Sequence, residues 1–186
     1  MNNAALEGGF TAPPQQSAQA FRSVMQAMAR PGRIYDIEGA VPPAPISIAA
    51  GTTLLTLADP TTGVHLTESF DKKEVRDWLT FHTGAPLVSA TEAEFALGYW
   101  DELDTQAYQL GTAEYPDRSA TLIVEMPELS QAGATLRGPG IETEAHLNLP
   151  EIALFKANRA LFPLGLDFIF TSGARVAALP RSTQVS

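Results

Sequence analysis

The sequence predicts an α/β protein: a mixed sheet with helices on its faces, closed by a C-terminal antiparallel hairpin. Three observations predict it. Strand-like and helix-like segments intermix, several joined by connections long enough to cross a sheet. Two segments, 13–30 and 72–83, carry apolar residues at helical spacing. Near the end, two apolar runs flank the tight turn Ser172-Gly173-Ala174, the mark of a hairpin. No repeat, low-complexity tract or linker interrupts the 186 residues, so 1–186 reads as a single domain with 1–12 as an irregular arm, frayed or strapped down.

Each element has a local reason. Pro13 and Pro14 open the first helix, where a missing N–H costs nothing, and Thr11 is the candidate cap. Ala18, Phe21, Val24, Met25 and Met28 fall on one face of it. Pro31-Gly32 ends it at Arg30, because a residue before proline disfavours the α region. Residues 33–37 alternate as a strand. Pro42, Pro43 and Pro45 mark a connector, and Ile46 to Ala58 is long and apolar enough for a buried helix.

Asp59-Pro60-Thr61-Thr62-Gly63 is a turn, and Val64 to Leu66 a short strand. Asp71 is the candidate cap of a helix over Lys72–Thr83, with Val75, Trp78, Leu79 and His82 on one face and Gly84 as its stop. Strands are expected over 86–89, 95–99 and 120–126, and near 144–148. A short helix is expected over 101–110, and a last one from Pro150 to about Leu161. The hairpin strands are 166–171 and 175–179.

Composition narrows the function. There is no cysteine, which excludes disulfides, thiolate metal sites and iron–sulfur clusters, and fits a reducing cytoplasm. The net charge of −9 repels nucleic acid and anionic lipid at long range, and no arginine-rich run opposes it. No apolar run approaches the ~20 residues of a membrane span. The first ten residues have neither the basic patch nor the apolar core of a signal peptide.

Few motifs carry chemistry. His65, His82 and His146 are the only histidines, and none has metal-ligand spacing to another, so no metal is expected. No nucleophile elbow or phosphate-binding loop is present. The run Glu92, Glu94, Asp101, Glu102, Asp104 reads as a solvated face before it reads as an acid/base pair. Lys72, Lys73 and Lys156 all fall within helices, none placed to hold pyridoxal phosphate as a Schiff base.

The arginines are more distinctive. Arg30 precedes Pro31-Gly32, Arg137 precedes Gly138-Pro139-Gly140, and Arg181 follows Pro180. A guanidinium whose backbone is fixed by proline or glycine is prepared to fork onto a carboxylate or phosphate. Each is therefore a candidate anion-binding or interface residue, though an ion pair with one of the 21 acids, or for Arg30 a charge at the helix C-terminus, explains each better. Asp167, at the start of an apolar strand, would need a partner if buried, and arginine is the natural one. The Gly138-Pro139-Gly140 loop is read as a plain turn, since proline removes a donor that a phosphate cradle would use.

An ordered set of segments carries a family resemblance. It opens with Phe21-Arg22-Ser23-Val24-Met25-Gln26-Ala27-Met28-Ala29-Arg30-Pro31-Gly32. It continues through Leu54-Leu55-Thr56-Leu57-Ala58-Asp59, Phe81-His82-Thr83-Gly84-Ala85-Pro86, Gly111-Thr112-Ala113, Ala120-Thr121-Leu122-Ile123 and Leu136-Arg137-Gly138-Pro139-Gly140-Ile141. It closes with Phe162-Pro163-Leu164-Gly165-Leu166-Asp167 and Ala178-Leu179-Pro180-Arg181. In order over residues 10–185, these resemble the PhnH family of the bacterial carbon–phosphorus lyase system.

The resemblance implies a three-layer α/β/α fold on a mixed sheet, similar to the large domain of pyridoxal-phosphate-dependent transferases but without that cofactor. It implies a cytoplasmic accessory subunit, a homodimer when isolated, that joins PhnG, PhnI and PhnJ. Their assembly transfers the ribose triphosphate moiety of ATP to alkylphosphonate (ribose 1-methylphosphonate 5-triphosphate synthase). The family supplies no established catalytic residue to carry over, so the chain alone is expected to be non-catalytic. Two alternatives stand beside it: a small anion-binding enzyme built on Arg30, Arg137 or Arg181, and a stand-alone pyridoxal phosphate enzyme. The apolar helix with Ala49, Leu54, Leu55 and Leu57 is a candidate dimer face, though a core role explains it better.

Overall fold

Two apolar triplets, Leu122-Ile123-Val124 and Phe168-Ile169-Phe170, sit at the centre of the architecture. A strand covered on both faces reads as a continuous apolar run, because both sets of alternating side chains are buried. The computed structural model, which describes residues 6–186, places them in β4 (Thr121–Glu125) and β7 (Asp167–Ser172). These strands pair in parallel with Ile123 opposite Ile169. β3 (Phe95–Tyr99) and β2 (Val64–Leu66) extend the parallel set on one side. On the other side β8 (Arg175–Leu179) returns antiparallel through the turn at Gly173, and β1 (Tyr35–Asp36) forms the edge. The sheet order is therefore β1-β8-β7-β4-β3-β2, mixed as expected.

Alternation then sorts side chains into two apolar clusters. Ile123, Ile169, Leu97 and Val176 join the first, with α1 (Pro13–Ala29), α2 (Ile48–Leu57) and α3 (Lys73–Thr83). Leu122, Val124, Phe168, Phe170 and Ala177 join the second, with Phe155 of α4 (Ile152–Ala160). A separate antiparallel sheet also contributes to the second cluster: β6 (Ala145–Leu147), β5 (Ala134–Arg137) and β9 (Gln184–Val185). Phe155 packs edge-on against Phe168, with ring centroids 4.9 Å apart.

The sequence-based elements need several corrections. The first helix buries Ala20, Val24 and Ala27, one step round from the expected face. Phe21 and Met25 are about half exposed, at 51% and 50%. Small alanines suffice where α1 lies close to β8 and α2, so the larger residues are turned outward. Thr11 does not cap α1: Gln16 Oε1 accepts from the Ala12 N–H at 2.8 Å instead. Asp71 does not cap α3 either; it pairs with Arg76 at 3.1 Å.

Residues 86–89 form only an isolated bridge at Leu87, because the chain leaves the edge of β2 after Val88. The span 101–110 is not a helix beyond the short 3₁₀ turn Trp100–Glu102; Asp104 holds the Gln106 N–H in a turn instead. β9 and the independence of the small sheet were not foreseen, since a two-residue strand leaves no periodic signal. The arm is strapped down over its described part: Trp78 Nε1 donates to the Glu7 carbonyl at 3.1 Å, and the Val41 N–H to that of Gly8 at 2.8 Å.

Asn158 clips the end of α4 to the start of β7. Its Nδ2 donates to the Leu166 carbonyl at 2.9 Å, and its Oδ1 accepts from the Leu166 N–H at 2.8 Å. Gly165 fits beneath it, where a Cβ would lie 2.9 Å from Asn158 Oδ1. The Asn158→Ala variant leaves both groups of Leu166 buried without a partner. It should lose about 2–3 kcal/mol, read from the urea midpoint at unchanged m-value.

Candidate functional site

The three arginine-bearing segments meet around one loop. Gly138 takes φ +134°, and a Cβ there would touch the Ser182 carbonyl at 3.4 Å. Gly140 takes φ +80°, and a Cβ there would lie 1.9 Å from the carbonyl oxygen of Ala29. Both are in the region that favours glycine, and the second contact admits no side chain at all. The end of α1 and the Pro180–Thr183 stretch thus flank the Gly138-Pro139-Gly140 turn from opposite sides. Pro31 and Gly32 are buried at the same junction, with Gly32 against Ala145 and Leu136.

The guanidiniums do not converge with their backbones. Arg181 turns inward to Asp167: its main-chain N–H donates to Asp167 Oδ1 at 2.8 Å, its Nε reaches both carboxylate oxygens at 3.2 Å, and Nη2 also bonds Oδ2. Nη1 donates to the Pro116 carbonyl at 2.6 Å. This is the partner that Asp167 was expected to need. Arg137 pairs with Glu144 at 2.9 Å on the surface. Arg30 is exposed and makes no ion pair among the described residues. Pro163, after a cis Phe162–Pro163 bond, and Gly165 shape the approach to β7. The carboxylates of the acidic run are dispersed: Glu94 accepts from the Gly63 N–H, Glu102 from Thr67 and Ser69, and Glu92 from Ser89.

Sequence reasoning missed two groups. The first is Glu125 at the end of β4, which is buried and accepts from Thr171 Oγ1 at 3.2 Å. Burial pushes its carboxyl up to about 7, against the hydroxyl and main-chain hydrogen bonds of Ser47 and that of Thr171. The second is a cleft of about 420 Å³ along the outer edge of β2. His65, Asp71, Arg76, Ser89 and Glu92 line it, brought together by β2, the start of α3 and the segment that leaves the sheet edge. His65 Nδ1 lies 2.9 Å from the hydroxyl of buried Tyr108. Burial lowers the His65 pKa, and burial raises that of Tyr108 to about 12. These residues come from three separate segments and share no periodicity, so only the His65 position within a strand could have pointed to them. Among the described residues, no group of three or more His, Asp and Glu side chains could hold a metal ion.

Residues 8–186 match the family model described as bacterial phosphonate metabolism protein (PhnH). The chain is 40% identical to the alpha-D-ribose 1-methylphosphonate 5-triphosphate synthase subunit PhnH of Rhizobium meliloti (strain 1021), over 96% of this chain and 94% of that one. It is 33% identical to HtxG of Stutzerimonas stutzeri, provisionally named a C-P lyase subunit protein, over 95% of this chain and 88% of that one.

Two expected outcomes follow from the ion pairs and from Glu125. Asp167→Asn leaves the enclosed Arg181 guanidinium without its counter-charge and should cost about 3 kcal/mol, whereas Arg137→Ala should change stability by less than about 1 kcal/mol; chemical denaturation of both measures the contrast. For Glu125, the folded protein holds the proton more tightly than the unfolded chain. Its stabilising contribution is full below the ordinary carboxyl value of 4.5 and is lost as pH rises through about 7. Glu125→Gln should therefore flatten the fall in Tm between pH 5 and pH 8, gaining up to ~3 kcal/mol over the native residue at the upper end.

Proposed function

This chain belongs to the PhnH family of bacterial phosphonate metabolism proteins, and on that premise we propose that it is an accessory subunit of a carbon–phosphorus lyase system. In this reading it acts as one domain, in the cytoplasm, and alone it is a homodimer. Within a larger assembly with PhnG, PhnI and PhnJ it supports transfer of the ribose triphosphate moiety of ATP to alkylphosphonate. The observation that carries the reading is the near end-to-end match to a relative named as a subunit of that synthase. The two apolar clusters on opposite sides of the sheet support a three-layer arrangement like that of the large domain of pyridoxal-phosphate-dependent transferases. Pyridoxal phosphate itself has no part in the reading: Lys72, Lys73 and Lys156 all lie exposed on helices or their caps. No helix of the described residues is long and apolar enough to cross a membrane.

Docking needs apolar surface, and the exposed face of α1 offers it through Phe21 and Met25, in the segment that opens the family resemblance. Of the three arginines at this junction, Arg30 beside that helix end is the one without an ion pair among the described residues, which favours it as an interface group over a closed anion site with Arg137 and Arg181.

Co-expression with PhnG, PhnI and PhnJ tests the proposal. The chain should co-purify with them, and synthase activity on ATP and methylphosphonate should need the partners. Turnover by the isolated chain, or failure to co-purify, would overturn it. Because Met25 is already half exposed, Met25→Asp should leave the Tm nearly unchanged and weaken co-purification about tenfold or more.

A further inference from the structure

We propose that the cleft at the outer edge of β2 binds a small hydroxylated oxyanion, a pentose carrying a phosphate or phosphonate group. Its volume of about 420 Å³ falls in the range of small-molecule sites. The choice of a pentose rests on the function proposed above; the choice of an oxyanion with hydroxyls rests on the lining alone.

Three kinds of donor face the cleft. The first is His65, whose protonation pattern is fixed by its neighbour. Tyr108 is buried, and its hydroxyl has one partner among the described residues, His65 Nδ1 at 2.9 Å. A buried hydroxyl must place its proton somewhere, so it donates to Nδ1. Burial disfavours the charged imidazole, against the pull of Asp71, and in a neutral ring that accepts at Nδ1 the proton sits on Nε2, a nitrogen with no partner among the described residues. The second donor is Arg76. Its nearest approach to Asp71 is through Nε, at 3.1 Å, and its terminal nitrogens make no hydrogen bond among the described residues. The third is main chain. Val64 uses its N–H on the Pro86 carbonyl and its own carbonyl on the Val88 N–H, both at the outer edge of β2. The alternation of a strand turns the N–H of Leu66 to that same edge, where the neighbouring segment has already departed.

The acceptors are the carboxylates of Asp71 and Glu92, the latter held by Ser89 Oγ at 2.8 Å. Carboxylates suit sugar hydroxyls, as the acidic residue of dinucleotide sites suits a ribose. A bare phosphate would meet Arg76 with two acids beside it, and a neutral sugar would leave the guanidinium unmatched. A ligand with both features satisfies both sets.

Titration of the isolated chain with ribose 5-phosphate, followed by calorimetry and by ¹⁵N spectra of the histidine rings, tests the proposal. Saturable binding is expected, tighter than for ribose, inorganic phosphate or methylphosphonate alone. Ribose 1-methylphosphonate in a parallel arm separates phosphonate from phosphate preference. Before ligand is added, the His65 ring should report the Nε2-protonated tautomer, and Tyr108→Phe should abolish that preference. Arg76→Gln, at a half-exposed position, should weaken binding about tenfold or more. Absence of saturable binding, equal binding by Arg76→Gln, or an Nδ1-protonated His65 would each overturn the proposal. Co-purification of Arg76→Gln with the partner subunits, run alongside, separates the two readings. Loss of ligand with intact assembly supports the site; failure of the native chain to assemble while ribose 5-phosphate still binds overturns the subunit reading and leaves the site standing.

Discussion

Burial of one sheet on both faces is the constraint from which the other features follow. Leu122-Ile123-Val124 in β4 and Phe168-Ile169-Phe170 in β7 have no solvated side. Each alternate side chain must find a separate apolar layer, and the chain supplies two. Polar groups at the margins of these strands must then be satisfied locally. Asp167 at the start of β7 does so through Arg181, and Glu125 at the end of β4 through Thr171 and Ser47. The first solution keeps a charge pair at the margin of the core. The second holds a carboxyl near neutrality, with hydroxyl and main-chain donors in place of a counter-ion.

The same constraint explains why the arginines serve such different ends. All three segments are fixed by glycine or proline, as the sequence indicates, and all three come to the Gly138-Pro139-Gly140 turn. A fixed backbone, however, does not direct a side chain. Arg181 is drawn to the nearest enclosed carboxylate, Arg137 to a surface one, and Arg30 is left at the end of α1. The order of segments that carries the family resemblance is therefore, in its glycines and prolines, mostly a record of close main-chain approach.

Much of the fold was legible because burial on two faces writes itself into local pattern. Continuous apolar runs marked β4, β7 and β8, glycine marked the hairpin and the stop of α3, and Ile46–Ala58 was rightly read as a buried helix. What was not legible depends on partners distant in the chain. Phe21 and Met25 carry the helical period but face outward, because Ala20 and Ala27 are what fits against β8. β9 is set by pairing with β5 alone. Of the site residues, the need of Asp167 for an arginine was legible, but not that Arg181 would supply it. The cleft of His65, Arg76, Ser89 and Glu92 was not, since it exists only where the chain after Val88 departs from β2.

The contact between Gly140 and the Ala29 carbonyl joins parts of the interior that the sheet otherwise separates. α1 belongs to the apolar layer on one side of the sheet, while the hairpin of β5 and β6 belongs to the layer on the other. The turn at Gly140 presses the two together at a separation that tolerates no added atom. The layers that β4 and β7 hold apart elsewhere therefore touch directly here, main chain against main chain, and only a residue without a side chain lets them do so.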